Sequence, residues 1–242
     1  MMKKLIRDLL PQLAVNLLRN FRNTAAGRVV APPVIDRKTS LDFEGIYKNN
    51  GFGDAESRSG GGSTLEQTCV IRREIPLLLR KLGVRHFLDV PCGDLNWMRH
   101  VDFGDVKYTG GDVVQAIVDS NRAAYGDADH FFERINIVTG PLTVADLIFC
   151  RDCLVHLNYF DGLSALEQFR SSGAKWFLAT TFVDRTSNAE LCPEGAIWRP
   201  LNLELAPYNL PPPEHYINEK CTEGGGLYGD KCLGLWRLSD AS

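Results

Sequence analysis

The stretch Phe87-Leu88-Asp89-Val90-Pro91-Cys92-Gly93-Asp94-Leu95-Asn96-Trp97 constrains this chain more than any other. A short apolar run ends on an acid, turns at Pro and Gly, and leads toward a helical segment. An open α/β sheet presents the end of its first parallel strand to a nucleotide-like ligand in this way. The glycines narrow the choice of ligand. A dinucleotide site spaces three of them, so that backbone can approach a pyrophosphate and the helix can hug the strand. Here Gly93 stands alone, with Pro91 and Leu95 where further glycines would fall. A turn this poor in glycine suits a ligand that carries an adenosine and no pyrophosphate.

The pattern around the turn is regular. His86–Val90, Lys107–Asp112, Phe131–Ile137, Ala145–Arg151 and Lys175–Phe182 read as strands. Leu65–Leu82, Gln115–Tyr125 and Tyr159–Ser171 read as helices, and Asn96–Val101 as a helical or irregular segment. Strands alternating with helices predict an α/β domain: a Rossmann-like, mostly parallel sheet with helices on both faces. A Pro-rich segment, Asn188 to Glu219, then leads to the apolar run Lys231–Leu238, an expected antiparallel terminal strand. A chain of 242 residues with 44% hydrophobic content can bury one substantial core. The expected organisation is an N-terminal helix and connector over 1–40 and one domain over 41–242, in which 183–230 forms a substrate-side insert or lid.

Residues 3–22 read as a basic amphipathic helix, with Leu5, Leu9, Leu13 and Leu17 on one face and Pro11 breaking or kinking it. Arg7 and Asp8 interrupt the apolar run, so a secretion signal is not expected. Two readings stay open for this helix: packing on the domain or on a second copy in a homodimer, or contact with a membrane surface. A net charge of -3 gives no footprint for nucleic acid. Seven cysteines at irregular spacing read as reduced thiols, which points to a cytoplasmic protein, peripheral to the inner membrane if the helix binds lipid. Cys150 and Cys153 form one C-x-x-C with no second pair, so no metal is expected.

Ligands of an open α/β sheet sit beyond the carboxyl ends of its strands, and the polar residues there read in order. Asp89 ends the first strand. Asp112 ends the second, about 20 residues past the glycine turn, where ribose hydroxyls are gripped. Asn136-Ile137 follows the third, where an amide can read an adenine edge or simply make a turn. The Gly/Ser-rich segment 51–68 reads either as a linker or as a cradle in which Ser63 and Thr64 hold a carboxylate at a helix start. After the fourth strand, Asp152 and His156 share a face if they form one helical turn. There they take a proton from an attacking hydroxyl, or else cap and pack. Trp97 and Trp198 with Tyr208 suggest a sugar-stacking or apolar wall, and Arg199, Asn202 and Glu204 suggest hydroxyl contacts; the alternative is a lid that only shields the site.

Taken together, Asp89-Val-Pro-Cys-Gly93-Asp94, Gly111-Asp112, Asn136-Ile137 and Asp146-Leu-Ile-Phe-Cys-Arg-Asp-Cys-Leu-Val-His156-Leu157 resemble the class I S-adenosylmethionine-dependent methyltransferases, over roughly Leu65 to Phe182 and the terminal strand. The resemblance implies S-adenosylmethionine as cofactor, with the turn against it, Asp112 on the ribose and Asn136-Ile137 flanking the adenine. The expected cofactor set is Ser63, Thr64, Asp89, Pro91, Cys92, Gly93, Asp94, Asp112, Val113, Asn136, Ile137 and Arg151. Asp152 and His156 are the expected catalytic pair, and Trp97, Trp198, Arg199 and Asn202 the expected acceptor contacts. Pro91 and Leu95 depart from the usual glycines, and Asn136 from the commoner Asp. A narrower resemblance, to bacterial methyltransferases of polysaccharide-building systems, includes Ser63–Thr68 and Trp198–Leu203, and implies a glycan or small-molecule hydroxyl as acceptor. The other readings are an NAD(P)-dependent oxidoreductase on a similar sheet and a non-catalytic interaction protein.

Overall fold

The computed structural model describes residues 41–191 and 197–238. The expected N-terminal helix and connector, and part of the expected insert, lie outside the described residues. Among the described residues no helix is long and apolar enough to cross a membrane.

Seven strands form one sheet: β1 (His86–Asp89), β2 (Lys107–Asp112), β3 (His130–Arg134), β4 (Leu147–Cys150), β5 (Trp176–Phe182), β6 (His215–Asn218) and β7 (Lys231–Arg237), in the order β3-β2-β1-β4-β5-β7-β6. The first five are parallel, and β7 runs antiparallel to both β5 and β6. Among the described residues, four α-helices accompany them: α1 (Phe43–Lys48), α2 (Ile71–Leu82), α3 (Gln115–Tyr125) and α4 (Tyr159–Ser171).

Strand side chains alternate between faces, and the two cores divide accordingly. Phe87, Leu147, Phe149, Trp176 and Leu178 pack with Ile71, Ile75, Leu78 and Leu79 of α2 and with Ile117 and Val118 of α3. Leu88, Ile148, Phe177 and Ala179 pack on the other face with Ala165, Leu166 and Phe169 of α4. In α2 the apolar positions recur at i, i+4, i+7 and i+8, the stripe a helix needs to cover a sheet. Gly83 ends it at φ +66°, in the left-handed conformation that glycine adopts without strain. Asn158 starts α4 by accepting the Asp161 amide at 2.8 Å.

The sheet order reverses between β1 and β4, and a ligand crevice opens at such a point. Two local expectations needed correction. The helix expected from Leu65 begins only at Ile71, because 65–70 forms successive turns. β6 is a strand inside the segment read as irregular; its four residues follow Pro211, Pro212 and Pro213 and are too few to show a period.

Candidate active site

A cavity of about 350 Å³ lies at the carboxyl ends of β1, β2 and β4. Gly93 shapes its floor. Its φ is +56°, and a Cβ there would stand 2.3 Å from Ser59 Oγ. Its amide donates to Asp112 Oδ2 at 3.1 Å, and its carbonyl accepts from Asn121 Nδ2 at 2.8 Å. At Gly111 a Cβ would meet Val90 and Ile135 at 2.7 and 2.6 Å, so glycine lets β2 close against its neighbours. The turn therefore uses two separated glycines, one of them on the next strand.

The Gly/Ser-rich segment is fastened at both ends rather than free. Asp94 accepts from Ser57 Oγ at 3.0 Å, the Arg58 amide at 2.7 Å and Ser59 Oγ at 3.2 Å. Asn96 Nδ2 donates to the Ser63 carbonyl at 3.0 Å and to Glu56 at 2.7 Å. Arg151 Nη2 donates to the Gly62 carbonyl at 2.8 Å. Ser63 lines the cavity, whereas the Thr64 hydroxyl accepts from the Gln67 amide and is not part of the wall.

Two buried carboxyls face this space. Asp89 accepts from Tyr108 Oη at 2.6 Å; burial pushes its pKa up to about 8, with the Tyr108 hydrogen bond opposing. Asp112 accepts from the Val114 amide at 2.9 Å; burial pushes it up to about 6 against its backbone hydrogen bonds. Asn136 caps the Val138 amide at 2.9 Å through its oxygen. Pro91, Cys92, Val113 and Ile137 complete this side.

The residues after β4 depart from the expected helical turn. Asp152 adopts φ +50°, and a 3-10 turn covers only Leu154–His156, so Asp152 and His156 are not stacked at i, i+4. Asp152 instead meets Lys231 Nζ at 2.6 Å and Arg151 Nη1 at 3.1 Å. Burial favours its acid form, but the Arg151 and Lys231 charges outweigh that and hold its carboxyl well below the usual range. Glu219 completes the cluster, 2.6 Å from Arg151 and 3.6 Å from Lys231. Arg151 also lies 5.5 Å over the ring of Trp97.

His156 lines the same cavity. Its Nδ1 is 2.6 Å from the Ile197 carbonyl, and a carbonyl only accepts, so Nδ1 carries the proton and Nε2 holds a lone pair. Burial lowers its pKa, with the Ile197 contact opposing. The ring is therefore neutral at neutral pH.

The remaining expected acceptor contacts lie elsewhere. Arg199 donates to the carbonyls of Val155, Ala189 and Leu154 at 2.9, 3.0 and 3.3 Å. Asn202 bonds the Arg185 carbonyl at 3.1 Å and the Glu204 amide at 3.0 Å. Trp198 packs tilted against Phe182 and edge-on against Tyr228. None of the three lines the cavity; their side chains bind the insert to the domain. Sequence reasoning missed Lys231 and Glu219, whose one signal is a charge beside or within an otherwise apolar terminal hairpin. It also missed Phe43 and Phe52, which carry no motif.

No protein-family model matches the chain, and no curated protein matches it by sequence. Solved structures do. Human N-acetylserotonin methyltransferase, in complex with SAM, is similar with a TM-score of 0.51 and 12% identity, over 71% of this chain and 52% of that one. The [4+2]-cyclase SpnF is similar with a TM-score of 0.44 and 15% identity, over 55% and 53%. Magnesium protoporphyrin IX methyltransferase from Synechocystis, with bound SAH, gives 0.40 and 11%, over 76% and 74%. The alignment thus spans about half the length of the first two. With five parallel strands, an antiparallel terminal strand and helices on both faces, the chain has the Rossmann-like fold of the class I S-adenosylmethionine-dependent methyltransferases.

Proposed function

We propose that this protein transfers a methyl group from S-adenosylmethionine to a hydroxyl of its acceptor. The observation that carries the reading is one cavity, in this fold, that joins the buried carboxyl of Asp112 to the unprotonated Nε2 of His156. The residues present fit the cofactor. Gly93 and Gly111 let Ser59, Val90 and Ile135 pack where a Cβ would stand, which holds the turn at the mouth of the cavity. Asp112, at about 6, is anionic at neutral pH and gains from two ribose O–H donors. Ile137 and Asn136 would flank the adenine. Ser63, the backbone at Gly93–Asp94 and the Arg151 guanidinium would hold the methionine end. When bound, the cofactor supplies an electrophilic methyl carbon on a sulfonium.

The protein's own residues then manage one proton. His156 takes the hydroxyl proton at Nε2 while the Ile197 carbonyl fixes the ring's tautomer and orientation. Asp152 is ill suited to that task, since a carboxylate stabilised by two cations is a weak base. It acts as a positioning residue that fixes the end of β4. Calorimetry with S-adenosylmethionine and S-adenosylhomocysteine tests the reading. Both bind the folded protein, and Asp112→Ala weakens both by about tenfold or more, as loss of charge-assisted hydrogen bonds requires; absence of binding to either in well-folded protein would sink it.

A further inference from the structure

The cavity changes character along its length. On the β1–β2–β3 side stand the carboxyls and amide assigned above to adenosine. On the β4 side the walls are apolar. The His156 ring lies 5.1 Å from the ring of Phe52 and 6.4 Å from that of Phe43, the latter edge-on at 86°. Leu41, Ile46 and Leu157 continue this wall. No residue of α1 is buried, yet Phe43, Ile46 and Tyr47 all line the cavity. Half-exposed apolar side chains gathered around a cavity are surface that a bound apolar molecule would cover.

The polar groups on this side are few, and the charged ones are tied to protein partners. Arg58 donates to the Tyr47 carbonyl at 2.9 Å and lies 5.4 Å over the Tyr47 ring. Asp161 accepts from Asn158 Nδ2 at 3.0 Å, and Asp152 is paired with Lys231 and Arg151. Among the described residues, His156 Nε2 has no hydrogen-bond partner and is the polar atom set beside both apolar rings, while the Tyr47 hydroxyl and one Asp161 oxygen are the other unengaged groups of this wall. A sugar needs a free partner for most of its hydroxyls, because each one buried unpaired costs about 1–3 kcal/mol. This chamber offers few such partners against a wall made mostly of Phe43, Phe52, Leu41, Ile46 and Leu157. A neutral imidazole also accepts a proton most readily from an acidic hydroxyl: a phenol titrates near ~10, far below an aliphatic alcohol.

We propose that the acceptor is a flat, largely apolar ring compound of the phenol class, held by Phe43 and Phe52 with its hydroxyl donated to His156 Nε2. The fate of that hydroxyl rests on the methyl-transfer reading; recognition of the ring does not.

The test is calorimetric titration of the 242-residue protein with 2-naphthol and with methyl α-glucopyranoside, each with and without saturating S-adenosylhomocysteine. Naphthol is expected to bind, and the glycoside about tenfold or more weakly. Phe52→Gln keeps a side chain that reaches into the chamber but removes the aromatic face, and is expected to weaken naphthol about fivefold. Its affinity for S-adenosylhomocysteine should stay within about twofold, because Phe52 is none of the residues assigned to the cofactor. Phe43→Leu serves as the second variant should Phe52→Gln fold poorly. The proposal is overturned if the glycoside binds as tightly as naphthol, if naphthol binds in neither condition, or if neither substitution changes its affinity. Loss of S-adenosylhomocysteine binding with Phe52-dependent naphthol binding intact would remove the cofactor reading and leave the chamber standing.

Discussion

At the scale of single residues, position and neighbours decide what a side chain can do. His156 is neutral because burial lowers its pKa, and it keeps a lone pair on Nε2 because Nδ1 carries the ring proton and donates it in a hydrogen bond to the Ile197 carbonyl. On the proposed reading, kcat/KM is flat through neutrality and falls only on the acid side, at a pH below the ordinary imidazole value of about 6.5, since a lowered pKa delays protonation. A pH–rate profile checks this, and an acid limb at or above the ordinary value would contradict it. His156→Gln should lower kcat by about 10²–10³-fold with cofactor affinity retained. Gly93→Ala is a test of backbone rather than chemistry. At φ +56°, with Ser59 Oγ 2.3 Å from the added carbon, it should destabilise by about 1–2 kcal/mol from the left-handed conformation alone. The thermal midpoint would fall by about 3–6 °C in a calorimetric scan. Asp89, Gly93 and Asp112 were legible in the sequence because strand ends and turns announce themselves within a few residues. The pairing of Asp152 with His156 was misread because one positive φ at Asp152 breaks the helical spacing that the letters allow.

At the scale of elements, the site is assembled by segments distant in sequence. Arg151 and Asp152 leave β4, Glu219 follows β6 and Lys231 opens β7; a loop with Gly61 and Gly62 lies across them. A Cβ on Gly62 would come within 3.2–3.4 Å of Glu223, Asp152 and Lys231, so a small residue is needed where the loop crosses the charges. Lys231→Met leaves the buried negative charge of Glu219 and the half-buried Asp152 with one cation between them. Breaking such a cluster costs about 3–5 kcal/mol when the partner is fully buried, and the 26% exposure of the Asp152 side chain puts this case at the lower end. Chemical denaturation should register the loss, and Asp152→Asn in the same chain should restore part of it. Equal stability of Lys231→Met and the parent would show that the cluster contributes nothing. The insert behaves differently from its sequence. Arg199 and Asn202 looked like acceptor contacts because hydrogen-bonding side chains beside aromatics suit sugar hydroxyls. The structure commits them to backbone carbonyls, so Arg199→Lys, which loses the planar fork, should lower the melting temperature while cofactor affinity is unchanged.

At the scale of the whole molecule, the sheet positions two carboxyls where solvent cannot stabilise their charge. Asp89, normally near 3.8, is pushed up to about 8, so the folded protein holds that proton more tightly than the unfolded chain. This contribution to stability is complete below about 4 and is lost as pH rises toward 8. Asp89→Asn lacks that loss, so its melting temperature relative to the parent should rise between pH 5 and 8, taken as roughly the window the linkage defines; a constant difference would argue against a buried acid. The sequence by itself determined the alternation of strands and helices, the glycine turn and the order of strand-end acids. Those are short-range properties: a period of two or 3.6, a cap, a residue able to turn. Only the tertiary structure decided that β6 joins the sheet, that Lys231 meets Asp152 across 79 positions and Glu219 meets Arg151 across 68, and that Phe43 and Phe52 close over His156. Contacts at such separations are set by the path of the whole chain and by what remains buried once the sheet has formed, and no local pattern encodes them.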